Sequence, residues 1–228
     1  MRVIATIRND FPTKFGLPRQ SGLVEGLRSM VVFEPEFRVP EALRGLEGFS
    51  HLWLIWQFHR AQREEWSPTV RPPRLGGNTR VGVFATRSPF RPNPIGLSCV
   101  RLEEIRRVEG LGQVLVVSGA DMMDGTPVYD IKPYLPYADC HPEARGGFAQ
   151  EAWREPLRVS IAPELLAQVP QDRREALLGV LGQDPRPAYQ HDPERVYGFA
   201  YAGLEVRFRV AGDTLEVTEI QQKEGKAP

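Results

Sequence analysis

The sequence is poor in cysteine and has no long apolar run. Its two cysteines, Cys99 and Cys140, are too few and too isolated to build a disulfide framework or a zinc site. No run approaches the roughly 18 consecutive apolar residues of a membrane-spanning helix. The first eight residues lack the long apolar segment and the cleavage site of a secretory signal. We therefore expect a cytoplasmic protein that holds no metal ion and binds no membrane.

The common motifs of nucleotide-binding and hydrolytic enzymes are absent as well. There is no Walker loop, no Rossmann glycine triplet, no His-Glu-x-x-His and no Gly-x-Ser-x-Gly. The Gly-rich turn between a strand and a helix, which marks the usual nucleotide-binding methyltransferase, is also missing. The sequence thus argues against a doubly wound parallel sheet as the basis of the function.

Acidic residues are missing from one long central segment. The net charge is zero, which alone argues against a nucleic-acid partner. A solvated face usually mixes both signs of charge and uses lysine, whereas the arginine fork matches carboxylates and phosphates. We therefore interpret the segment as a binding surface for anions. Between Glu65 and Glu103 there is no acidic residue, and the basic residues are Arg71, Arg74, Arg80, Arg87, Arg91 and Arg101.

Short β-branched and aromatic runs, separated by turns rich in Gly and Pro, make up the first half of the chain. They predict strands without intervening long helices, which favours an all-β barrel or sandwich. One or two helical turns are expected at residues 40–46, which begin with Pro and have Gly near the end. The predicted strands cover residues 3–7, 30–33, 49–58, 81–85, 97–105 and 114–120.

A second unit follows a loose stretch at residues 138–158. In its strand at 204–210, apolar residues alternate with arginines, which predicts one buried and one exposed face. A unit of this size is too small to be comfortably stable alone, so we expect it to pack on the first. Helices are expected at 162–169 and 171–182, and strands at 196–202, 204–210 and 214–220.

The sequence therefore predicts a mainly β fold in two parts. A single β-barrel-like domain is expected at residues 1–140, followed by a small α+β domain at residues 156–222.

The loop at residues 87–96 is the stiffest candidate for a site. Its three prolines between Pro89 and Pro94 fix the backbone before any ligand binds, which lowers the ordering entropy that a ligand must overcome. Arg87, Arg91 and Asn93 are the polar groups on that rigid frame. A rigid crossover between two strands is the alternative interpretation.

The segment after the sixth predicted strand holds three carboxylates and a lysine. Asp124 and Gly125 begin a tight turn. Asp121 and Asp130 are expected to pair with the arginines or to accept hydrogen bonds from a ligand. A surface ion pair between Asp130 and Lys132, which would contribute little stability, is the alternative.

A Gly- and Pro-rich loop at residues 14–22 and two histidines are weaker signals. The loop contains one arginine and one glutamine beside its glycines. His51 and His59 flank the long aromatic strand, but a single histidine is more often structural than catalytic.

Taken together, these segments resemble the TrmO family of tRNA methyltransferases, also called TsaA-like or YaeB-like proteins. The stretch that ends at Gly96 is highly specific, and only the stretch near 138–158 lacks a clear match. The resemblance therefore spans both predicted domains. The matching stretches are 14–22 (KFGLPRQSG), 45–53 (GLEGFSHLW), 68–96 (PTVRPPRLGGNTRVGVFATRSPFRPNPIG), 124–137 (DGTPVYDIKPYLPY) and 183–189 (QDPRPAY).

The resemblance implies a fold, a reaction and an assembly. The family's catalytic domain is a single β-barrel-like unit, and its members resemble homodimers with the cofactor near the subunit interface. The implied reaction transfers the methyl group of S-adenosylmethionine to N6 of N6-threonylcarbamoyladenosine, beside the anticodon of threonine tRNA. The implied partners are tRNA and a second copy of the chain, with no DNA.

Three sets of residues follow from the resemblance. Arg19 or Arg87 would pair with the methionine carboxylate, and Asp124 would accept a hydrogen bond from the amino group or the ribose. The catalytic set, expected to handle N6 or the threonyl carboxylate, is Asp130, Lys132 and Tyr134. The cofactor set is Pro18, Arg19, Gln20, His59, Arg60, Arg87, Leu97, Asp124, Gly125, Thr126 and Pro127. The RNA-binding set is Arg71, Arg74, Arg80, Arg91, Arg186 and Tyr189, the last by stacking on an unpaired base.

Two other classes of protein remain open from the sequence. A non-catalytic RNA-binding module that responds to S-adenosylmethionine would use the same loops without transferring a methyl group. A structural barrel whose arginines mediate oligomerisation would bind no cofactor at all.

Overall fold

The chain is built mainly of β-strands, as the sequence predicts. The computed structural model describes residues 1–24, 26–61, 65–76, 78–151, 155–187, 190 and 192–222, and only the backbone of Arg74 and Glu151. The strands in these residues are β1 (Ala5–Arg8), β2 (Arg28–Phe33), β3 (His51–Gln57), β4 (Thr69–Val70), β5 (Val81–Gly82), β6 (Ile95–Val108), β7 (Gly112–Ser118), β8 (Pro127–Pro133), β9 (Arg158–Ser160), β10 (Tyr197–Tyr201), β11 (Leu204–Ala211) and β12 (Thr214–Gln222).

Helices among the described residues are short. None of them is long and apolar enough to cross a membrane. The α-helices are α1 (Pro136–Asp139), α2 (Phe148–Glu151), α3 (Pro163–Ala167) and α4 (Arg174–Gly182). Single 3-10 turns lie at Pro35–Phe37, Pro40–Leu43, Leu46–Gly48, Pro73–Leu75, Val83–Ala85 and Gln171–Arg173.

Six strands form one sheet that closes on itself in the order β1-β2-β7-β6-β3-β8. Every neighbouring pair in this ring is antiparallel. In β3, Leu52, Leu54 and Trp56 point inward and are buried, while the residues between them face outward. Apolar side chains from all six strands fill the interior. A ligand site must therefore lie at an end of the ring or on its outer face.

A second sheet follows in the order β10-β11-β12-β9, with β9 parallel to β12. The buried face of α4, which includes Leu177 and Leu181, packs into the same core. The alternation predicted for β11 is confirmed, because Val206, Phe208 and Val210 are buried and the arginines between them are exposed. Those arginines form outward ion pairs with glutamates of β12.

The connection between β1 and β2 joins the two sheets. Phe11, Val24 and Leu27 from this connection are buried in the core of the second sheet. Gly16, whose φ is 90°, lies so close to Phe199 that an added Cβ would be 2.3 Å from the ring. The expectation that the small second unit packs on the first is therefore confirmed.

β4 and β5 pair with each other to form a separate two-stranded hairpin. We call residues 66–84 the arm, of which Gly77 lies outside the described residues. Val83 is its one buried residue among those described, and the others are exposed or half-buried. The arm thus projects from the connection between β3 and β6.

Several elements differ from the sequence predictions. β8 and β9 were not expected, and the strand predicted at 81–85 ends at Gly82, where a 3-10 turn begins. The turns expected at 40–46 are 3-10 turns. A bulge explains why β8 escaped prediction: Ile55 is paired with Asp130 but Trp56 with Val128, so one residue is left over. Inward positions are consequently three residues apart, at Val128 and Ile131, and the period-two alternation is lost.

Candidate functional site

Three long connections leave the ring at the same end. β1 and β3 both pair antiparallel with β8, so they run in the same direction. β6 pairs antiparallel with both β3 and β7, so β7 also runs in the direction of β3. β1, β3 and β7 therefore run in the same direction, and their C-terminal ends share one rim of the ring. They lead into the connections at residues 9–27, 58–94 and 119–126. Of the predicted cofactor residues, Pro127 and Leu97 alone lie outside these connections, each near the start of the strand that follows.

Main-chain hydrogen bonds hold the connections together. The amide of Gly22 donates to the carbonyl of Gly119 at 3.0 Å, and the amide of Asp124 donates to the carbonyl of Phe11 at 2.8 Å. The amide of Phe58 donates to the carbonyl of Pro94 at 2.9 Å, which closes the base of the middle connection. The rim is thus a defined surface on which side chains from distant parts of the sequence meet.

Arg87, Gln20 and Asp121 bring one residue from each connection to the same place. The exposed guanidinium of Arg87 donates a hydrogen bond to the side-chain oxygen of Gln20. Its positive charge also acts on the carboxylate of Asp121. The described residues show no ion pair between Asp121 and an arginine, so the pairing expected for Asp121 stays a prediction. A guanidinium beside an amide and a carboxylate offers both donors and acceptors to a zwitterionic ligand.

Asp121 also ends a hydrogen-bond chain that begins inside the ring. Nε1 of Trp56 donates to Oγ of Ser98 at 2.9 Å, and this hydroxyl donates to Oδ1 of Asp121 at 2.5 Å. Burial raises the pKa of Asp121, while the bond from Ser98, main-chain amides and the charge of Arg87 oppose that rise. A carboxylate with a raised pKa on so rigid a support is typical of a functional site.

Arg19 lies on the connection that packs against the second sheet. Its guanidinium donates to the main-chain carbonyls of Arg186 at 3.0 Å and of Asp184 at 3.4 Å. These bonds tie the loop, with Pro18 and Gln20, to the second unit. Because the guanidinium of Arg19 already donates to these carbonyls, Arg87 is the better candidate to bind a ligand carboxylate.

The turn that leads into β8 is fixed mostly by its own hydrogen bonds. Gly125 has a φ of 77°, which the turn requires, and the buried hydroxyl of Thr126 donates to the carbonyl of Met123 at 2.8 Å. Asp124 accepts from the amide of Asn9 at 3.0 Å. The carboxylate of Asp124 remains 36% exposed beside Arg8, at 3.8 Å, so it can still accept a bond from a ligand.

His59 and Arg60 lie at the start of the middle connection. Burial and, to a smaller extent, the charge of Arg60 lower the pKa of His59, so the imidazole is neutral at physiological pH. Leu97 is 54% exposed on the outer face of β6, where it is paired with Ile55 of β3. These three residues therefore extend the site from the rim toward the outer face of the ring.

The predicted catalytic residues face outward from β8. Asp130 and Lys132 form an ion pair of 3.0 Å with both side chains well exposed, so the surface ion pair that the sequence allowed is present. Tyr134 is seven residues beyond Pro127, about 23 Å along an extended strand, near the opposite rim of the ring. Its ring lies against Trp53 and His51. Within one chain, Tyr134 is thus not brought together with Arg87.

The arginines predicted to bind RNA fall into two groups. Arg71 and Arg80 are exposed at the far end of the arm, where Arg80 donates to the hydroxyl of Thr69 at 2.8 Å. Arg91 donates to the carbonyl of Thr86 at 3.0 Å and is half-buried. Arg74 lies in the 3-10 turn of the arm, with its side chain outside the described residues.

Arg186 and Tyr189 belong to the second unit. The guanidinium of Arg186 is 10% exposed and makes two hydrogen bonds to the carboxylate of Asp184, at 2.8 and 3.0 Å. This pairing leaves Arg186 little surface for a phosphate and gives it a structural role beside Arg19. Tyr189 lies outside the described residues, and its predicted stacking stays a prediction.

Sequence reasoning missed the support of Asp121. Ser98 occupies an inward position of β6 and is 1% exposed, in a row that is otherwise apolar. A single hydroxyl in an inward row was the available signal, because buried polar groups need partners. The partner, Trp56, belongs to a different strand, so its bond to Ser98 could not be read from the chain alone.

The fold and the site define a mainly β protein in which polar side chains from three connections meet at one rim of a closed six-stranded sheet. Two family models match the chain: the tRNA-methyltransferase O N-terminal domain at residues 6–140, and the TrmO C-terminal domain at residues 154–223. The chain therefore belongs to the TrmO family of tRNA methyltransferases, and the recognition made from the sequence is confirmed.

Individual relatives agree with this assignment. The tRNA (adenine(37)-N6)-methyltransferase of Escherichia coli is 42% identical, with 96% of this chain and 97% of the relative covered. A putative S-adenosylmethionine-dependent methyltransferase of Pseudomonas aeruginosa is 45% identical, with 90% of both chains covered. The crystal structure of TrmO from Pseudomonas aeruginosa is similar with a TM-score of 0.76 and 36% identity, over 96% of this chain and 97% of the other.

Proposed function

We propose that this chain methylates N6 of adenine 37 in threonine tRNA, on an adenine that already carries a threonylcarbamoyl group. As a member of its family, the chain is an S-adenosylmethionine-dependent tRNA methyltransferase. The threonylcarbamoyl group and the cytoplasmic location are the further steps of the proposal. One observation carries it: Arg87, Gln20 and Asp121 meet at the rim of the ring, beside an arginine-rich segment without acidic residues.

The rim suits the chemical groups of the cofactor. S-adenosylmethionine supplies an electrophilic methyl group on its sulfonium, and it carries a carboxylate, an ammonium group and ribose hydroxyls. Arg87 and Gln20 would hold the carboxylate, since a guanidinium matches a carboxylate with two parallel bonds. Asp124 would accept from the ammonium group or the ribose. Neutral His59 can offer a hydrogen bond without repelling the sulfonium.

The nucleophile needs help because the lone pair of N6 is delocalised into the ring and the carbamoyl group. An acceptor near the N6 proton would assist the attack, and alignment of the two reacting atoms does the rest. We propose Asp130 as that acceptor, Lys132 as the cation for the threonyl carboxylate and Tyr134 as a contact to the substrate. The ion pair between Asp130 and Lys132 would have to open to admit the substrate.

A homodimer would bring these residues to the rim of a second copy. The outer face of β3 and β6 exposes Leu97 and carries half-buried Trp53, Ile55 and Ile95. Solvent-exposed sheet faces are usually polar, so this apolar strip beside Asp130 suits contact with another subunit. In such a dimer, the loops of one copy and the outward residues of β8 of the other would form one cleft.

The RNA would extend from this cleft over the arginines. Arg71, Arg74, Arg80 and Arg91 are proposed to contact phosphates, which positions the substrate without reading its sequence. Tyr189 is proposed to stack on an unpaired base of the anticodon loop. Arg186 is a weaker candidate because its guanidinium is occupied by Asp184.

Mass spectrometry of nucleosides tests the proposal. Threonine tRNA with the threonylcarbamoyl group, and the same tRNA without it, are each incubated with the protein and isotopically labelled S-adenosylmethionine. We expect one labelled methyl group on the modified nucleoside and none on the unmodified adenine. Equal methylation of both tRNAs would contradict the substrate proposal. Absence of label from every tRNA would contradict methyl transfer itself.

A further inference from the structure

Two aromatic rings lie exposed together at the base of the arm. Trp66 is 50% exposed and Phe84 is 72% exposed, and neither belongs to either of the cores that the described residues form. The rings are stacked, with centroids 6.2 Å apart and an interplanar angle of 24°. Large aromatic side chains in so exposed a position usually mark a binding surface.

The hairpin holds the two rings in place. The amide of Val83 donates to the carbonyl of Pro68 at 2.9 Å, and Thr69 is paired with Gly82. These contacts bring residues 66 and 84 to the same side of the arm. The backbone thus places the two rings side by side, and their contact reduces the ordering that a flat partner requires.

A concave surface and several arginines lie near the rings. A shallow cavity of about 180 Å³ is lined by Trp66 together with Glu65, Phe90, Arg91 and three prolines. No acidic residue occurs from Trp66 to Leu102 in the sequence. Arg71 directly follows β4 and Arg80 directly precedes β5, so both lie beyond the rings toward the tip of the arm.

Exposed aromatic rings combined with arginines suit single-stranded RNA. Every base offers a flat face for stacking, while the guanidinium groups contact the backbone phosphates. Contact with a second copy of the same surface fits less well. A twofold interface through the arm would bring together two arms that each carry arginines and no acidic residue.

We propose that Trp66 and Phe84 form a stacking site for an unpaired base of the anticodon loop, next to the base that is methylated. The position is close to the reaction, because Thr86 and Arg87 directly follow the 3-10 turn that contains Phe84, and Arg87 is bonded to Gln20. Arg71 and Arg80 contact the phosphates on either side of the stacked base. The inference deepens the proposed function and rests on it.

Binding of two RNAs by matched variants tests the stacking site. The protein is titrated, at one fixed salt concentration, with a labelled anticodon stem-loop and with a fully paired duplex of equal phosphate number. Trp66→Leu and Phe84→Leu remove an aromatic ring on which a base can stack but keep an apolar side chain. Trp66→Phe keeps an aromatic ring at the same position. Tyr137→Leu removes an aromatic side chain that is 87% exposed outside the arm and serves as the control.

We expect Trp66→Leu and Phe84→Leu to weaken binding of the stem-loop by about tenfold or more, and binding of the duplex by less than about twofold. Trp66→Phe and Tyr137→Leu should bind both RNAs like the unsubstituted protein. The salt dependence of binding should keep its slope in all variants, because no phosphate contact is lost.

Three results would overturn the stacking site. The first is that the leucine variants bind the stem-loop as tightly as the unsubstituted protein, and the second is that they bind both RNAs equally more weakly. The third is that their molecular mass, measured by light scattering, changes while RNA binding stays intact. The last would show that the rings contact another subunit. Methyl transfer by the unsubstituted protein is measured in parallel. Absence of methyl transfer would contradict the proposed function. If the unsubstituted protein methylates tRNA but Trp66→Leu and Phe84→Leu bind the stem-loop normally, only the stacking site is contradicted.

Discussion

Asp121 is the residue on which contacts from all three connections converge. Its carboxylate accepts a hydrogen bond from the hydroxyl of Ser98 inside the ring, and the positive charge of Arg87 at the rim stabilises its ionised form. Its pKa is nevertheless raised, because the cost of burying the carboxylate exceeds these favourable contacts. We propose that Asp121 serves as a hydrogen-bond acceptor for a ligand or as a support for Arg87.

The raised pKa of Asp121 predicts a pH-dependent stability. Between its ordinary pKa of 3.8 and the raised value, the folded chain binds more protons at this site than the unfolded chain. The contribution of Asp121 to the unfolding free energy therefore falls as pH rises through this range and is constant above it. Asp121→Asn removes the contribution, since the amide does not titrate and its oxygen can still accept from Ser98.

Urea unfolding at several values between about pH 4 and pH 7 measures this effect. We expect the stability of Asp121→Asn relative to the unsubstituted protein to increase with pH. Asp213→Asn, in the exposed turn before β12, is the control for replacing a carboxylate by an amide on the surface. A stability difference that stays constant or decreases with pH would contradict the role given to Asp121.

At the scale of elements, β3 and β6 form the framework of the site. Gly96 is paired with Trp56, and the indole lies directly over the glycine. An added Cβ at Gly96 would be 2.2 Å from the ring. The glycine thus allows Trp56 to reach Ser98 and thereby to hold Asp121.

Gly96→Ala should consequently disturb both stability and the site. Displacing the indole is expected to lower the unfolding free energy by about 1–3 kcal/mol, as in other overpacked cores. Gly48→Ala, where no atom lies within 4 Å of the added Cβ, is the control and should be nearly neutral. Chemical unfolding measures both variants. An equal, small effect of the two substitutions would show that Trp56 is not held by the close approach at Gly96.

The sequence predicts well the strands that have a continuous apolar run or regular alternation. β3 and β7 were expected from apolar, aromatic and β-branched runs, and β11 because its apolar residues recur at every second position. β8 was not expected, since the bulge beside Asp130 breaks that period. Arg87 and Asp121 were singled out from their local sequence and Gln20 from the resemblance, but their meeting depends on strand order, which no local pattern encodes.

In the complete fold, the second unit supports the rim through the connection between β1 and β2. Asp10 and Arg173 form an ion pair of 2.7 Å across the two units, with both side chains partly buried. The pKa of Asp10 is raised despite this partner, because burial outweighs the attraction. The apolar contacts of Phe11, Val24 and Leu27, more than the ion pair, therefore hold the units together.

We propose that the cofactor binds at this rim, with Arg87 as the partner of its carboxylate. Isothermal titration with S-adenosylmethionine tests the claim, using Arg87→Gln and, as control, Arg107→Gln on the exposed hairpin end of β6. Loss of a charge-assisted bond should weaken binding to Arg87→Gln by about tenfold or more, with Arg107→Gln unchanged. Binding to Arg87→Gln within about twofold of the unsubstituted protein would contradict the claim and place the cofactor elsewhere.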